Sequence, residues 1–493
     1  MLNRADSHMN KLPLLILFLL SFEGFAQRST DSVLHLADTL QPYSIEVFYA
    51  AVVQNHPIVR QSRLLSETAR QEVRLARGSF DPKLESRFSN KNLYDKEYYS
   101  KWLTAITFPT WFPIDPKFGI ERNDGPYLNN ESFIPVSDDY KQVFTGISLP
   151  VGKGLFTDER RAALKQAKLF TQIAEAEQIK LINKILLDAA KDYWQWFYSF
   201  YNFRLLDQNT RLSMEILDRV RLNVSLGEAS AIDTLQAKIT VQQRKIERQE
   251  AWLEYTNAGI RVSNYLWDER DQPLQLSNRT VPYLMAGADE LLSTQTLEEL
   301  KIMAQENHPE LRKLSAKLLQ LDVERKLAVE YLKPKVDLNY TFINQPLTPL
   351  GEFRSIQFRQ DYKFGFDFSV PVFLRKERAK LSQTKIKIQS TEFEQAQTRR
   401  DVLNQVQQVY NQLTNTQLIM QQQVAMVDYY DRILKAELLN LENGESDLFK
   451  INVQQEKLIQ AQSKLLKLRS DYEKLKATLY WAAGVRNLNF KFP

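Results

Sequence analysis

The stretch "GISLPVGKGLFTDERRAALKQA" runs from Gly146 to Ala167. It changes rhythm part-way. Val143, Thr145, Ile147 and Leu149 alternate with the small residues Gly146 and Ser148, the period of a strand. Pro150 ends that run, and from Asp158 a basic segment begins with neither proline nor glycine, the mark of a helix start. The same change occurs again in "DFSVPVFLRKERAKLSQTK", Asp367 to Lys385, around Pro371. A strand that feeds a basic helix through a proline, written twice, points to a duplicated unit.

Other landmarks repeat in the same order. "QNHPIV" (Gln54 to Val59) is echoed by "ENHPEL" (Glu306 to Leu311), and "FDPKLESRF" by "LKPKVDLNY". The interval is 25 residues in both copies, Pro57 to Pro82 and Pro309 to Pro334. A glycine turn follows later in each, "SLGEASAIDTLQA" at Gly227 and "ENGESDLFKINVQ" at Gly444. Five landmarks in one order argue for internal duplication. In Asn-His-Pro, Asn ends a short helix and Pro opens the next, because the residue before proline leaves the helical region. A metal site at His56 and His308 is disfavoured, since no neighbouring residues complete a ligand set.

Each unit predicts two strands, four per chain. Val336, Leu338, Tyr340 and Phe342 oppose Asp337, Asn339 and Thr341. Tyr362, Phe364, Phe366, Phe368 and Val370 oppose Lys363, Gly365, Asp367 and Ser369, and Leu84, Ser86 and Phe88 alternate with Glu85 and Arg87. One apolar face and one polar or small face fit a lipid-facing outside and a wet inside, or a half-buried soluble sheet. The remainder reads as helix. Asp158 to Leu226 and Arg375 to Asn443 are uninterrupted, roughly 100 Å each at helical rise. Val406, Leu413, Met420, Val427, Leu434 and Leu441 recur every seven residues, as do Ile451, Leu458, Leu465, Tyr472 and Leu479. That spacing means supercoiled packing. Trp111 to Tyr140 has the composition of a loop.

The chain has 493 residues, a net charge of +5 and no cysteine. This excludes disulfides, thiolate metal sites and a lipidated N-terminal cysteine, and gives no sign of a nucleic-acid partner. "MNKLPLLILFLLSFEGFAQ", from Met9, reads as a signal peptide cleaved after Ala26. No later apolar run spans a bilayer as a helix, so membrane entry requires a closed barrel. The expected organisation is a signal peptide (1–26), an N-terminal extension (27–43), a first repeat (44–267), an equatorial connector (268–296) and a second repeat (297–493). "GISLPVGKG" fails as a phosphate loop, because five residues separate Gly146 from Gly152 and Gly154 stands where Ser or Thr is needed. No nucleophile elbow, zinc motif or calcium loop is present, so no catalytic, cofactor or metal site is expected.

Taken together, "NHP" with Pro82 and Pro334, the "SLPVGKGLFTDERRAALKQA" segment and the "LGEASAIDTLQA" and "NGESDLFKIN" turns make this chain resemble the TolC family of outer-membrane efflux proteins. The resemblance implies a mainly helical fold with a small β part: a homotrimer with a shared 12-stranded transmembrane barrel and a helical tunnel through the periplasm. It implies the exit duct of a tripartite efflux or type I secretion system, with a periplasmic adaptor and an inner-membrane pump as partners. A periplasmic adaptor or coiled-coil scaffold is the alternative, but such proteins show one hairpin where this chain shows two. By the resemblance, Pro82, Pro150, Pro334 and Pro371 mark helix-to-strand junctions. Gly227, Glu228, Asp233, Gly444, Glu445, Asp447 and Lys450 mark the periplasmic entrance and its adaptor-docking turns. The family's acidic ring falls six and nine positions after the second glycine; here Lys450 and Val453 occupy those places. Asp233 is expected to pair with Lys450, the alternatives being Asp447, Glu445 or solvent. Trp102, Phe108, Trp111 and Phe112 form an aromatic girdle or pack under the long loop. "YWQWFYSFYNF" (Tyr193 to Phe203) is expected to contact the connector, the alternative being a drug site.

Overall fold

Long amphipathic helices and alternating strands are laid out in one order twice. The computed structural model describes residues 41–128, 142–227, 230–277, 279–283, 294–344, 362–443 and 445–485. After β1 (Gln41–Tyr43) come α1 (Ile45–Asn55) and α2 (Pro57–Gly78). The strands β2 (Lys83–Leu93), β3 (Lys96–Thr107), β4 (Asp115–Asp124) and β5 (Gln142–Pro150) lead to α3 (Glu159–Ser225) and α4 (Ala231–Ser263). β6 (Thr280–Pro282) pairs with β1 as a separate ribbon. Then follow α5 (Thr294–Asn307), α6 (Pro309–Glu330), β7 (Lys335–Asn344), β8 (Tyr362–Ser369), α7 (Arg375–Glu442) and α8 (Leu448–Ala482). The signal peptide and most of the N-terminal extension lie outside the described residues, as does part of the connector.

The two longest helices have 67 and 68 residues, about 100 Å each. Asp158 caps α3 by accepting from the Arg161 amide. The seven-residue positions of α7 and α8 point inward: Val406, Leu413, Met420, Leu434, Ile451, Leu458, Tyr472 and Leu479 are all buried. They form two apolar seams, one with α3 and α4 around Leu217, Val241, Leu434 and Ile451, the other with α5 around Leu300, Val406, Leu413 and Leu479. Between the two hairpins, Arg244 of α4 is 4% exposed and lies 2.8 Å from Glu247 and 2.6 Å from Glu456 of α8. Partnered on both sides, that buried cation avoids the large cost of an isolated charge.

The sheet corrects the expectation of four strands: among the described residues it has six, in the order β2-β3-β4-β5-β7-β8, every neighbour antiparallel. β3 was not anticipated, and β4 falls inside the segment read as a loop. Pro116, Gly119, Asn123 and Asp124 give β4 a turn-like composition. Pro116 sits at its second residue, near the strand start where proline is tolerated. Gly119 leaves room for Phe144 of β5, whose ring would lie 2.4 Å from a Cβ at that position. An aromatic laid over a bare glycine pins the β4–β5 register. The β2–β3 turn, Tyr94-Asp95, has two positive φ angles (52° and 56°), as a two-residue hairpin with right-handed twist requires. Residues 129–140 of the expected loop lie outside the described residues.

Candidate functional site

The sheet sorts its side chains by face. Through the paired registers, Leu84, Phe88, Trp102, Ile106, Phe118 and Ile120 share one face with Val143, Ile147, Leu338, Tyr340, Phe364 and Phe366. On the other face lie Glu85, Arg87, Lys101, Lys117, Glu121, Asn339, Lys363 and Asp367. The apolar face is open: Phe88 is 68% exposed and Phe366 59%. The strands are eight to twelve residues long. That length crosses a bilayer's hydrocarbon when tilted. Trp102, Phe108, Trp111 and Phe112 are all exposed. Trp102 lies within the apolar face, and Trp111 packs its ring 5.7 Å from Phe80.

The prolines sit where strands begin and end. Pro82 and Pro334 immediately precede β2 and β7, Pro150 ends β5, and Pro371 follows β8. The two halves meet at Gly152, where a Cβ would lie 2.1 Å from the Pro334 carbonyl oxygen. Only a bare backbone fits there. The Val151 amide donates to the Val336 carbonyl at 2.7 Å and the Lys153 amide to the Pro334 carbonyl at 2.8 Å. The glycine that mimics a phosphate loop in the sequence is a close-approach residue. Arg160 grips Asp115 at 2.9 Å, tying the start of β4 to the start of α3.

At the far ends of the long helices the chain reverses. Gly227 has φ +80° and nothing within 4 Å of an added Cβ, so left-handed backbone rather than crowding requires glycine. Ser230 and Asp233 close a capping box on α4: the Ser230 amide donates to Asp233 Oδ2 at 3.0 Å. Asp447 caps α8, accepting from the Lys450 amide at 2.9 Å, and its carboxylate lies 3.9 Å from Lys450 Nζ. Among the described residues Lys450 therefore faces Asp447, not Asp233, whose side chain is spent on its own helix. The Glu445 amide donates to the Asn440 carbonyl at 2.8 Å. Glu228 and Gly444 lie outside the described residues. Around the turns Leu226, Ile232, Leu235 and Phe449 are exposed.

Residues 302–485 match the family model described as outer membrane efflux protein. Among solved structures, the chain is similar to the outer-membrane channel OprN, with a TM-score of 0.62 at 13% identity over 89% of each chain. It is similar to the open state of the Neisseria gonorrhoeae MtrE channel, with a TM-score of 0.62 at 13% identity over 89% of this chain and 88% of that one. The Campylobacter jejuni CmeC channel gives 0.60 at 12% identity, over 89% and 85%. The fold is that of the TolC-like outer-membrane channels. None of the curated proteins matches the sequence significantly.

In this channel fold the Asn-His-Pro motifs do what the sequence reading only half foresaw. α1 and α5 end at Asn55 and Asn307, and α2 and α6 open on Pro57 and Pro309. The histidine between is the cap: Nδ1 of His56 accepts from the Ile58 amide at 3.2 Å, and Nδ1 of His308 from the Glu310 amide at 3.3 Å. A cap that accepts must be neutral, and burial lowers both imidazole pKa values in that direction. The signal missed was position, since a residue one before an N1 proline stands at the N-cap. No cluster of metal-ligating side chains occurs among the described residues.

The aromatic run of α3 packs against the connector and α1, as expected. Tyr193 and Trp196 are buried with Phe48, Val262 and Leu266, and Leu276 packs against them. The Tyr193 hydroxyl donates to the Tyr43 carbonyl at 2.7 Å and accepts from the Tyr283 amide at 3.2 Å. One phenol thus holds the ends of both ribbon strands, and burial raises its pKa.

Proposed function

We propose that three copies of this chain form an outer-membrane exit duct that passes cargo from an inner-membrane pump and a periplasmic adaptor to the exterior. The observation that carries this reading is the six-stranded sheet with one largely apolar face and, among the described residues, two open edges, mounted on paired helices of about 100 Å. Six strands cannot close a membrane barrel alone, because about eight is the minimum and no edge survives in lipid. No described helix is long and apolar enough to cross a membrane. Copies must therefore share the barrel, and two hairpins with wet faces build a tube only by association. The signal peptide, residues 1–26, exports the chain. The turns at Gly227 and Gly444, with their exposed apolar neighbours, receive the adaptor.

The protein extracted from outer membranes should be a trimer by light scattering with detergent correction, and should open a conducting pore in planar bilayers. A stable folded monomer without conductance overturns the reading. The entrance supplies a second readout. Clustered carboxylates bind a multivalent cation, and a lysine among them opposes it by like charge. A trivalent cation added on the periplasmic side should block weakly, and Lys450→Asp should strengthen the block. Strong block unchanged by that substitution would place the narrowest point elsewhere.

A further inference from the structure

We propose that each protomer contributes all six strands to the wall, so that three copies close an eighteen-stranded barrel by pairing β8 of one protomer with β2 of the next. This rests on the trimeric reading above, and it departs from the twelve strands that four per chain would give.

The extra strands β3 and β4 behave as wall. Their outward positions Trp102, Ile106, Phe118 and Ile120 extend the apolar face over the lower part of both strands, with Thr104 among them and Arg122 beside Trp102 towards the far end, and three of the four apolar ones are more than a third exposed. A hairpin folded into the lumen or over the mouth has no need of such a face. The β3–β4 turn is fastened at the helix junction, by Arg160 to Asp115 and by Trp111 on Phe80. All strands thus start from one level.

The register then fixes a tilt. Successive partners run Lys83, Thr107, Lys117, Gly146, Thr341, Lys363. This line leaves β2 at its lower end and reaches β8 at residue 363, whereas the lower end of β8 is residue 369. Six residues make about 20 Å along the strand, and five strand gaps make about 24 Å across. The ratio gives a tilt of about 40°, inside the 35–45° range of transmembrane barrels. The offset from the lower strand end is nil at Thr107 of β3, then grows through β4 and β5 to its full value at β7 and β8, so the shear accumulates from β3 to β7.

The edges suit each other. Among the described residues β2 and β8 each pair on one side only. Six strands, an even number, make β8 antiparallel to the next protomer's β2. Both edges offer acid and base to the lumen, Glu85 with Lys83, Arg87 and Lys91 on β2, Asp367 with Lys363 on β8. Outside, Phe364 and Phe366 come level with Ser86 and Phe88. Barrel diameter grows roughly linearly with strand number, so the exit would be about half as wide again as a twelve-stranded one.

A single-particle map of the full-length protein in nanodiscs counts the strands directly. Eighteen strands in a three-fold ring are expected. Twelve strands in a trimer overturn this proposal and leave the duct reading standing, while an assembly without a barrel overturns both. The absence of cysteine in the chain allows two further checks. Ser89→Cys combined with Lys363→Cys or Gly365→Cys should give a covalent trimer on oxidation in at least one register; no cross-link in either overturns the pairing. A bimane label at Ile120→Cys should be quenched by brominated lipid and not by aqueous iodide. The reverse result takes β4 out of the wall.

Discussion

The two repeats agree closely in their helices and disagree in their strands. α2 and α6 both have 22 residues, α3 and α7 have 67 and 68, and α4 and α8 have 33 and 35. Yet among the described residues the first repeat supplies four strands to the sheet and the second two. Helix length is constrained twice over, by the distance spanned and by seams in which every seventh residue must meet a partner. A hairpin added to a sheet changes neither. It needs only an apolar outer face, a paired inner edge and a foothold at the junction.

The comparison is most easily broken at Gly152. Gly152→Leu would drive a side chain into the Pro334 carbonyl, a backbone atom that cannot step aside. We expect a loss of more than about 3 kcal/mol, read as disappearance of heat-resistant oligomer on gels. Phe373 of the second repeat, close behind Pro371, is 69% exposed. Phe373→Leu should therefore leave the oligomer intact. Equal effects would mean that the two junctions are alike after all.

Next in size is Phe144→Ala, which uncovers Gly119 and should cost about 3 kcal/mol, as for other buried aromatics. Cysteine-labelling rates at an engineered site in β4 should rise while sites in α7 stay protected. Tyr193→Phe should cost about 2 kcal/mol by leaving buried ribbon groups unpaired, measured by the denaturant midpoint.

The smallest effect should be equal in both repeats. His56→Ala and His308→Ala should each cost about 1 kcal/mol, and the corresponding Asn variants much less. The caps also predict a pH dependence. A histidine whose folded pKa is lowered contributes stability that is complete above its unfolded value, near 6.5, and is lost as pH falls through the folded value. Wild type should thus lose denaturant resistance below about pH 6.5 more steeply than the double Asn variant. Parallel curves would show that the imidazoles do not cap.

The helices were legible because nothing interrupts them, and their seven-residue spacing placed the buried face correctly. β2, β5, β7 and β8 were legible from alternation beside prolines. β3 and β4 were not, because loop-forming residues in β4 outweighed a short alternation of Phe118 and Ile120. Gly119 looks like a turn residue until Phe144 is seen lying over it, and that contact joins residues far apart along the chain. At the tips of the long helices, the turn at Gly227 was legible from its position alone. The partner of Lys450 was not, since a capping box at Ser230 and Asp233 competes for the same carboxylate. The capping pattern was present in "SAID", Ser230 to Asp233, and outranked a longer-range ion pair.

The Tyr193 hydroxyl has a mechanical meaning as well. α3 is gripped at its start by Asp115 and again at Tyr193, and from there to Ser225 it runs on for about 48 Å of helix. A rod clamped at one end bends with a compliance that grows as the cube of its free length. The tip should therefore be the softest part of the shaft although its seams resemble those higher up. Amide exchange along α3 should quicken steadily from Tyr193 towards Ser225, and a load applied at the turns would be felt as bending below that phenol and hardly at all in the barrel above it.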